Sequence, residues 1–349
     1  MFQIEYIDFR DPLIGIITVF IFIFIVSFIT YSIGLYKERK LRLEYRKLLN
    51  RFELGTLKED DYIHLYSTYN LPFDSIILLA SSFLYKGQYN KAISVYLVLL
   101  EHVEEKVKKE ELLELLGMAY FKSGLLQRSK EIYLKILKFS PRNKVALKNI
   151  LLVFQSLKEF SRALEVLDAL EELDENTIKE RIYINLLTIV NDPLLSFDTK
   201  SIQLYNNFTI NKTLERVVVE YLLKFNKTLL WNNIEKFNIS KSIDLFWYLD
   251  FDDIEFDKVT SNKLLEELYT AKGYILLAKQ SDVFELNILI ALKHSKSDVK
   301  VDLNFDFTCS KCKHTHPMYE SRCPHCQSIL TFGVKPKIAQ DIHGMKSFV

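Results

Sequence analysis

Four cysteines near the C-terminus have the spacing of metal ligands. Cys309, Cys312, Cys323 and Cys326 form two Cys-x-x-Cys pairs separated by ten residues. Each pair can fold into a tight turn that directs two thiolates at one ion, and two such turns complete a tetrahedral shell of four sulfurs. The spacing therefore predicts one structural metal ion held by all four cysteines. Because the shell is full, the ion has no open position for catalysis.

The ligand type favours zinc, with iron in a rubredoxin-type site as the alternative, because tetrahedral thiolate geometry accepts both ions. His314, His316 and His325 lie in the same segment. Since four cysteines already fill the shell, we expect these histidines to be surface residues and not ligands. The predicted module, residues 304–349, is too short to bury a large core. Metal binding is therefore expected to supply most of its folding free energy, on the order of 10 kcal/mol.

An uncharged apolar stretch near the N-terminus predicts a transmembrane helix. It runs from Leu13 to Tyr36 without an acidic or basic residue. A bilayer core needs about 20 helical residues, so the stretch is long enough to span one. It is longer than the apolar region of a signal peptide, no basic segment precedes it, and no small-residue cleavage site follows it. These features favour a retained anchor over a cleaved signal.

Charges on the two sides of this stretch predict its orientation. Residues 1–12 form a stub with a net charge of −2, whereas Lys37–Lys47 contains six basic and two acidic residues. The basic side of a membrane helix usually faces the cytoplasm, so we expect the bulk of the chain there, on an inner membrane. A further role of the basic run in attracting anionic lipid headgroups stays open. Cytoplasmic thiols are kept reduced, which favours metal binding over disulfides.

The remaining composition argues against a nucleic-acid partner and against an enzyme. The chain has a net charge of +1, and residues 48–349 together carry −1, so no basic surface is expected to neutralise phosphates. The sequence contains no dinucleotide-binding, P-loop, nucleophile-elbow or zinc-protease motif. The acidic segment from Asp250 to Asp257 lacks the glycine and the terminal glutamate of a calcium loop, and we interpret it as solvated.

A repeat of small and aromatic residues in the first half is typical of tetratricopeptide units. Such a unit needs small residues where its two helices cross, and large apolar residues beside them. Three units share this pattern at Ala80, Gly87, Ala92 and Tyr96, at Gly117, Gly124, Ser129 and Tyr133 with a closing Pro141, and at Phe154, Phe160, Ala163 and Leu167. Each helix pair leaves an apolar face for its neighbour, so a longer array of divergent helical repeats is expected over residues 175–303.

The predicted fold is all-α: a tetratricopeptide solenoid with one transmembrane helix and a small C-terminal metal module. Helical arrays of this kind bind peptides or partner proteins, which we expect as clients. The predicted segments are a stub (1–12), the transmembrane helix (13–36), a juxtamembrane helical segment (37–72), tetratricopeptide repeats (73–174), divergent helical repeats (175–303), and the metal module with its tail (304–349).

The order of these parts resembles the lipopolysaccharide assembly protein B family of Gram-negative bacteria. The stretch KGQYNKAISVYLVLLE and the repeat that follows it are similar to the family's early repeats. The segment CSKCKHTHPMYESRCPHC, followed by Lys335-Pro336, resembles the family's rubredoxin-like ending. This resemblance also implies that Cys309, Cys312, Cys323 and Cys326 hold the metal.

The resemblance implies a non-enzymatic adaptor in the inner membrane. Members of the family associate with the membrane AAA protease FtsH and promote degradation of the deacetylase LpxC, so that lipopolysaccharide synthesis matches phospholipid synthesis. A generic membrane-tethered scaffold for envelope or surface machinery is the alternative of the same class. An electron-transfer protein with an iron centre is the alternative from another class.

Overall fold

The computed structural model describes residues 12–53, 61, 73–295 and 301–340 of the 349-residue chain. The predicted stub at 1–11, the juxtamembrane residues 54–60 and 62–72, and the tail at 341–349 lie outside the described residues. The described part is mostly helical and ends in three short strands. The predicted class, a helical chain with an apolar N-terminal helix and a C-terminal four-cysteine cluster, is confirmed.

The helices are numbered here in chain order. They are α1 (Pro12–Glu53), α2 (Phe73–Tyr85), α3 (Tyr89–His102), α4 (Lys106–Lys122), α5 (Leu126–Phe139), α6 (Lys144–Ser156), α7 (Phe160–Glu171), α8 (Ile178–Asn191), α9 (Phe197–Ile210), α10 (Glu215–Phe225), α11 (Lys227–Trp231), α12 (Ile243–Trp247), α13 (Phe256–Val259), α14 (Lys263–Lys272) and α15 (Phe284–His294). The strands are β1 (Val301–Cys309), β2 (Thr315–His316) and β3 (Phe332–Gln340).

The first helix is long and apolar enough to cross a membrane. Pro12 is its first residue, where the missing backbone N–H costs no hydrogen bond. The span Ile16–Glu44 reaches a mean hydropathy of 2.6, and none of it is buried against the rest of the described chain. The helix continues without a break through the basic run to Glu53. The predicted span 13–36 therefore lies within one continuous helix that also contains the start of the predicted juxtamembrane segment.

Contacts divide the chain into two compact units, Met1–Val153 and Phe154–Val349. The division falls inside α6, and not at the predicted boundary between residues 174 and 175. The predicted metal module is not a compact unit of its own. It belongs to the same unit as α7 to α15, and its strands share one hydrophobic core with α8 to α15.

Successive helices in the first unit pack as pairs at the predicted small and aromatic positions. The closest approach is at Gly117 on α4, where a Cβ atom would lie 2.7 Å from Cζ of Tyr133 on α5. The Ser129 hydroxyl donates to the Gly117 carbonyl at 2.8 Å, and the Tyr133 hydroxyl donates to the Glu114 carbonyl at 3.2 Å. A glycine is therefore required at residue 117, because the tyrosine ring fills the space of any side chain.

The same turn joins the helices of each predicted unit. Gly87, Gly124 and Lys158 all have a positive φ, of 73°, 79° and 59°. The amide after each of them donates to the carbonyl five residues earlier, which is the pattern of a Schellman helix end. Glycine tolerates this left-handed conformation, and Lys158 adopts it at some cost in strain. The recurrence of this turn follows the predicted spacing of the units.

Adding a methyl group at Gly117 is expected to destabilise the first unit. The Gly117→Ala variant should lose about 2 kcal/mol in unfolding free energy, because the Tyr133 ring must move to admit the Cβ atom. Urea denaturation followed by circular dichroism measures the loss. In a chain that also carries Tyr133→Leu, the Gly117→Ala substitution should lower the unfolding free energy by less. A Gly117→Ala variant as stable as the parent would contradict the close packing.

The second unit departs from paired helices between residues 227 and 262. The helices there are only four or five residues long and are separated by one or two 3₁₀ turns. Asn226, Asn238 and Asn262 each begin a new element, because the side chain accepts a hydrogen bond from a backbone amide two or three residues later. The prediction of divergent helical repeats over 175–303 therefore does not describe this segment, although α8, α9 and α10 are of ordinary length.

The three strands form one antiparallel sheet in the order β2-β1-β3. Val301 pairs with Gln340 at one end and Cys309 with Phe332 at the other, so β1 is paired along its whole length with β3. The first strand begins ahead of residue 304, where the module was predicted to start. The extra residues matter because Asp302 and Leu303 contact the helices.

Candidate metal centre

The sheet places the two Cys-x-x-Cys turns against each other. Strand β1 ends at Cys309, and the first turn leads from there through Cys312 to β2. The second turn, Cys323–Cys326, is flanked by a single β-bridge between Arg322 and Ile329. Cys309 and Cys323 are buried, and Cys312 and Cys326 are half-buried. The structure thus brings together all four residues predicted to bind the metal.

The distances between the sulfurs fit one tetrahedral ion. The four sulfurs lie 3.6–3.8 Å apart, with 3.7 Å from Cys309 Sγ to Cys326 Sγ and from Cys312 Sγ to Cys323 Sγ. Metal–sulfur bonds of about 2.3 Å in a tetrahedron give sulfur–sulfur edges of about 3.8 Å. A disulfide bond would need about 2.05 Å. The cluster can therefore bind one metal ion, and its geometry is that of separate thiolates.

Both turns present backbone amides to their sulfurs in the same way. The Cys309 sulfur accepts hydrogen bonds from the amides of Lys311 and Cys312. In the second turn the Cys323 sulfur accepts them from the equivalent amides of His325 and Cys326. These amides partly neutralise thiolate charge, which allows four negative sulfurs to surround one divalent ion. The residue after each turn, Lys313 or Gln327, has a positive φ of 64° or 60°.

Two hydroxyl groups supply further hydrogen bonds to one edge of the cluster. The Ser328 Oγ atom lies 2.9 Å from the Cys326 sulfur and 3.6 Å from the Cys309 sulfur. The Thr331 Oγ1 atom lies 3.3 Å from the Cys309 sulfur and 3.0 Å from Ser328 Oγ. Hydrogen bonds to metal ligands orient them and tune the site. Sequence reasoning did not identify either hydroxyl, since no spacing rule relates them to the cysteine pairs.

Hydrogen bonds give the cysteine thiols different pKa values. Burial alone would raise the pKa of Cys309, but hydrogen bonds from Thr331, Ser328 and the turn amides lower it to about 5. The His314 amide would lower the pKa of Cys312, but burial and hydrogen bonding with the other three thiols raise it to about 12. The pKa of Cys326 is lowered as well, because hydrogen bonds from Ser328 outweigh its burial, whereas burial raises the pKa of Cys323. Two thiols thus ionise readily, and a metal ion must displace the protons of the other two. Metal binding is therefore expected to release protons.

The face of β1 opposite to solvent packs into the helical core. Leu303, Phe305 and Phe307 alternate along the strand and are buried in the same cluster as residues of α10 to α15. The Trp247 indole donates to the Asp302 carboxylate at 3.1 Å. The Tyr248 and Phe305 rings meet edge to face at 5.7 Å. The metal-binding turns are therefore fixed to the helices by the strand that carries the first cysteine.

Arg322 forms a second connection, directly beside a metal-binding turn. Its guanidinium donates to the Gln155 side chain at 2.6 Å and to the Glu180 carboxylate at 2.7 Å. It also donates to the carbonyl of Gln327, at 2.7 Å. The Arg322 side chain is only 13% exposed. One arginine thus connects α6, α8 and the second turn, and the next residue is Cys323.

Removing this connection is expected to loosen the metal-binding turn. The Arg322→Met variant keeps most of the side-chain volume but leaves Glu180 and Gln155 without their donor, so it should lose about 2 kcal/mol in unfolding free energy. Metal release to a chelator should be faster in the same variant. Arg162→Met, which breaks an exposed ion pair with Glu159, is the matched control and should change little. Equal release rates in the two variants would contradict the connection.

A buried ion pair lies beneath the module. The guanidinium of Arg216 on α10 forms two hydrogen bonds with the carboxylate of Asp244 on α12, one of them 2.6 Å long, and each side chain is 7% exposed. The guanidinium carbon also lies 4.4 Å from the centre of the Tyr319 ring, which belongs to the loop between the two turns. A cation over an aromatic face is attracted to it. The pair therefore contacts both the helices and the metal module.

Two other predictions concern the acidic segment and the histidines near the cysteines. Asp253 of the acidic segment pairs with Lys227, and Asp250, Asp252 and Asp257 are exposed. Within the described ranges, possible metal-ligand groups occur at the cysteine module and not in this segment. Of the three histidines predicted to be surface residues, His314 and His325 are exposed, and their rings stack with centroids 3.6 Å apart. His316 departs from the prediction, because it is half-buried and its Nε2 atom lies 4.0 Å from the Cys323 sulfur.

Comparison of the sequence with models of known protein families finds no match, and comparison with curated proteins finds none either.

Proposed function

We propose that this chain is a non-enzymatic, membrane-tethered adaptor, in which α1 crosses the inner membrane and the rest lies in the cytoplasm. The observation that carries the proposal is a closed four-sulfur centre packed into the helical core of a chain whose first helix can span a bilayer. Four protein ligands leave no position for a substrate, so the ion has a structural role. The basic residues after the apolar span support the cytoplasmic orientation.

The helix pairs of residues 73–174 are, in this proposal, tetratricopeptide units that bind a protein client. The support is the recurring left-handed turn at Gly87, Gly124 and Lys158, together with the close contact between Gly117 and Tyr133. Helical repeats of this type bind extended peptides on their faces. Tethering such a surface to the membrane raises the concentration of a bound client near membrane enzymes.

The client is proposed from the resemblance to lipopolysaccharide assembly protein B. The chain would bring the deacetylase LpxC to the membrane protease FtsH and so limit lipopolysaccharide synthesis. The order of parts and the CSKCKHTHPMYESRCPHC segment support this reading. The metal would be zinc, which supplies no redox chemistry and holds the two turns together.

A generic scaffold for envelope or surface machinery is the second candidate. The segment between residues 227 and 262 supports it, because its short helices and 3₁₀ turns are not the paired helices of a tetratricopeptide array. The colour of the purified protein distinguishes the proposed zinc-binding adaptor from an electron-transfer protein with an iron centre. Purified protein with zinc is colourless, whereas ferric iron on four thiolates absorbs visible light.

The half-life of LpxC tests the adaptor proposal. It is measured by immunoblot after protein synthesis is stopped, in cells that express this protein and in cells depleted of it. A longer half-life on depletion, restored by the parent chain but not by Cys309→Ser/Cys312→Ser at equal membrane abundance, is the expected result. Met318→Ala, at an exposed side chain of the same module, is the matched control and should restore degradation. An unchanged half-life would reject LpxC as the client and leave the scaffold reading, whose clients crosslinking would identify.

A further inference from the structure

A second group of metal-ligand side chains lies beside the four-cysteine cluster. The Cys312 sulfur and one ring nitrogen from each of His314 and His325 lie within 4.8 Å of one another. His314 follows the first turn and His325 is inside the second, so both turns contribute to the group. Thiolate and imidazole bind zinc, cobalt, nickel and copper ions in preference to hard cations. The geometry therefore places a second set of suitable ligands at one surface of the module.

The two imidazole rings are stacked face to face, with centroids 3.6 Å apart and planes that differ by 20°. Because the lone pair of a ring nitrogen lies in the ring plane, one ring must rotate for both nitrogens to bind the same ion, and both side chains are exposed. The Nδ1 atom of His314 lies 3.3 Å from the carbonyl oxygen of Cys312. A proton on Nδ1 can be donated to this carbonyl, which leaves the Nε2 lone pair for a metal. This is the orientation in which metal-binding histidines are usually fixed.

An ion from solvent can reach this group. Both histidines are exposed and Cys312 is half-buried. The hydroxyls of Ser328 and Thr331 contact the sulfurs of Cys326 and Cys309, at the other edge of the cluster. Within residues 301–340, no such hydroxyl contact involves the Cys312 sulfur. Its thiolate therefore keeps a lone pair that can bridge two ions.

We propose that Cys312, His314 and His325 form a second metal site, which binds a borderline divalent cation such as Zn²⁺ or Co²⁺. The Cys312 thiolate is shared with the ion of the four-cysteine site. Three protein ligands leave the fourth tetrahedral position to water, so this ion is exchangeable and accessible to an added ligand. The site extends the module beyond the structural role proposed above and does not depend on the identity of the client.

The test is a metal titration of the full-length protein in detergent, first loaded with one equivalent of Zn²⁺. Co²⁺ is then added while absorbance is recorded, and the metal content of the dialysed protein is measured by mass spectrometry. We expect the parent chain to keep its zinc and bind one further Co²⁺, with a thiolate-to-cobalt charge-transfer band from Cys312. In His314→Ala/His325→Ala the affinity for this ion should fall at least tenfold, and the band should disappear.

Met318→Ala is the matched control, because this side chain lies on the same module, is 69% exposed and is outside the group. It should bind the second ion as the parent does. The proposal is overturned if the parent binds no second ion, if the double variant binds it equally well, or if Co²⁺ enters only by displacing zinc. The first equivalent of zinc reports separately on the four-cysteine site, so loss of that site is distinguished from loss of the second one.

Discussion

Replacing Cys309 and Cys312 together with serine is expected to abolish metal binding and to unfold the module. Two thiolates cannot hold a structural ion, and such an ion contributes on the order of 10 kcal/mol to folding. The loss should extend to the helices, because Leu303, Phe305 and Phe307 belong to their core. Metal analysis should show no bound ion. Thermal denaturation should show a lower midpoint for the second unit.

Limited proteolysis distinguishes this outcome from general unfolding. Cleavage should appear first within residues 301–340, whereas the helices of the first unit should stay resistant, since they form a separate core. Met318→Ala, which removes an exposed side chain of the same module, is the control for a substitution that spares the four sulfurs. A metal-free variant that resists protease as well as the parent does would show that the strands fold without the ion.

Replacing Arg216 with methionine is expected to lower the unfolding free energy by about 3 to 5 kcal/mol, because the substitution leaves the Asp244 carboxylate buried without a partner. The cation beneath the Tyr319 ring is lost as well. Urea denaturation followed by fluorescence of Trp231 and Trp247, both in the second unit, measures the change. Asp244→Asn should be destabilising for the corresponding reason.

The double variant Arg216→Met/Asp244→Leu should recover most of the lost stability, since it removes both charges and places apolar groups in a buried position. Arg181→Met, which breaks an exposed pair with Asp168 and Glu171, is the matched control and should leave the unfolding transition in place. A single Arg216→Met variant with unchanged stability would mean that Asp244 reaches water.

Local features of this protein could be predicted from the sequence. The sulfurs of Cys309 and Cys312 come together because a two-residue spacer fixes their directions, and the second pair repeats that spacing. The contact between Gly117 and Tyr133 joins two positions that the pattern of small and aromatic residues indicated. The apolar span in α1 needed only length and composition. In each case the deciding interaction lies within one turn, one helix or one pair of neighbouring helices.

The short elements between residues 227 and 262 were not predicted. Asn226, Asn238 and Asn262 each cap the start of the element that follows, by accepting a hydrogen bond from one of its backbone amides. Trp231 and Trp247 are buried among these elements. Hydrophobic periodicity over residues 175–303 indicated helices but did not show where the short elements begin. An asparagine that caps a helix cannot be distinguished in the sequence from an asparagine on the surface.

The attachment of the metal module was decided by tertiary structure alone. Arg322 reaches Gln155 and Glu180 across separations of 167 and 142 residues, and no spacing pattern relates residues so far apart. Ser328 and Thr331 approach the sulfurs because β3 returns beside β1. The sequence by itself thus determined which residues can hold a metal and which helix can cross a membrane, since these depend on local chemistry. Only packing decided that the metal centre is part of the helical core, since that depends on contacts between distant segments.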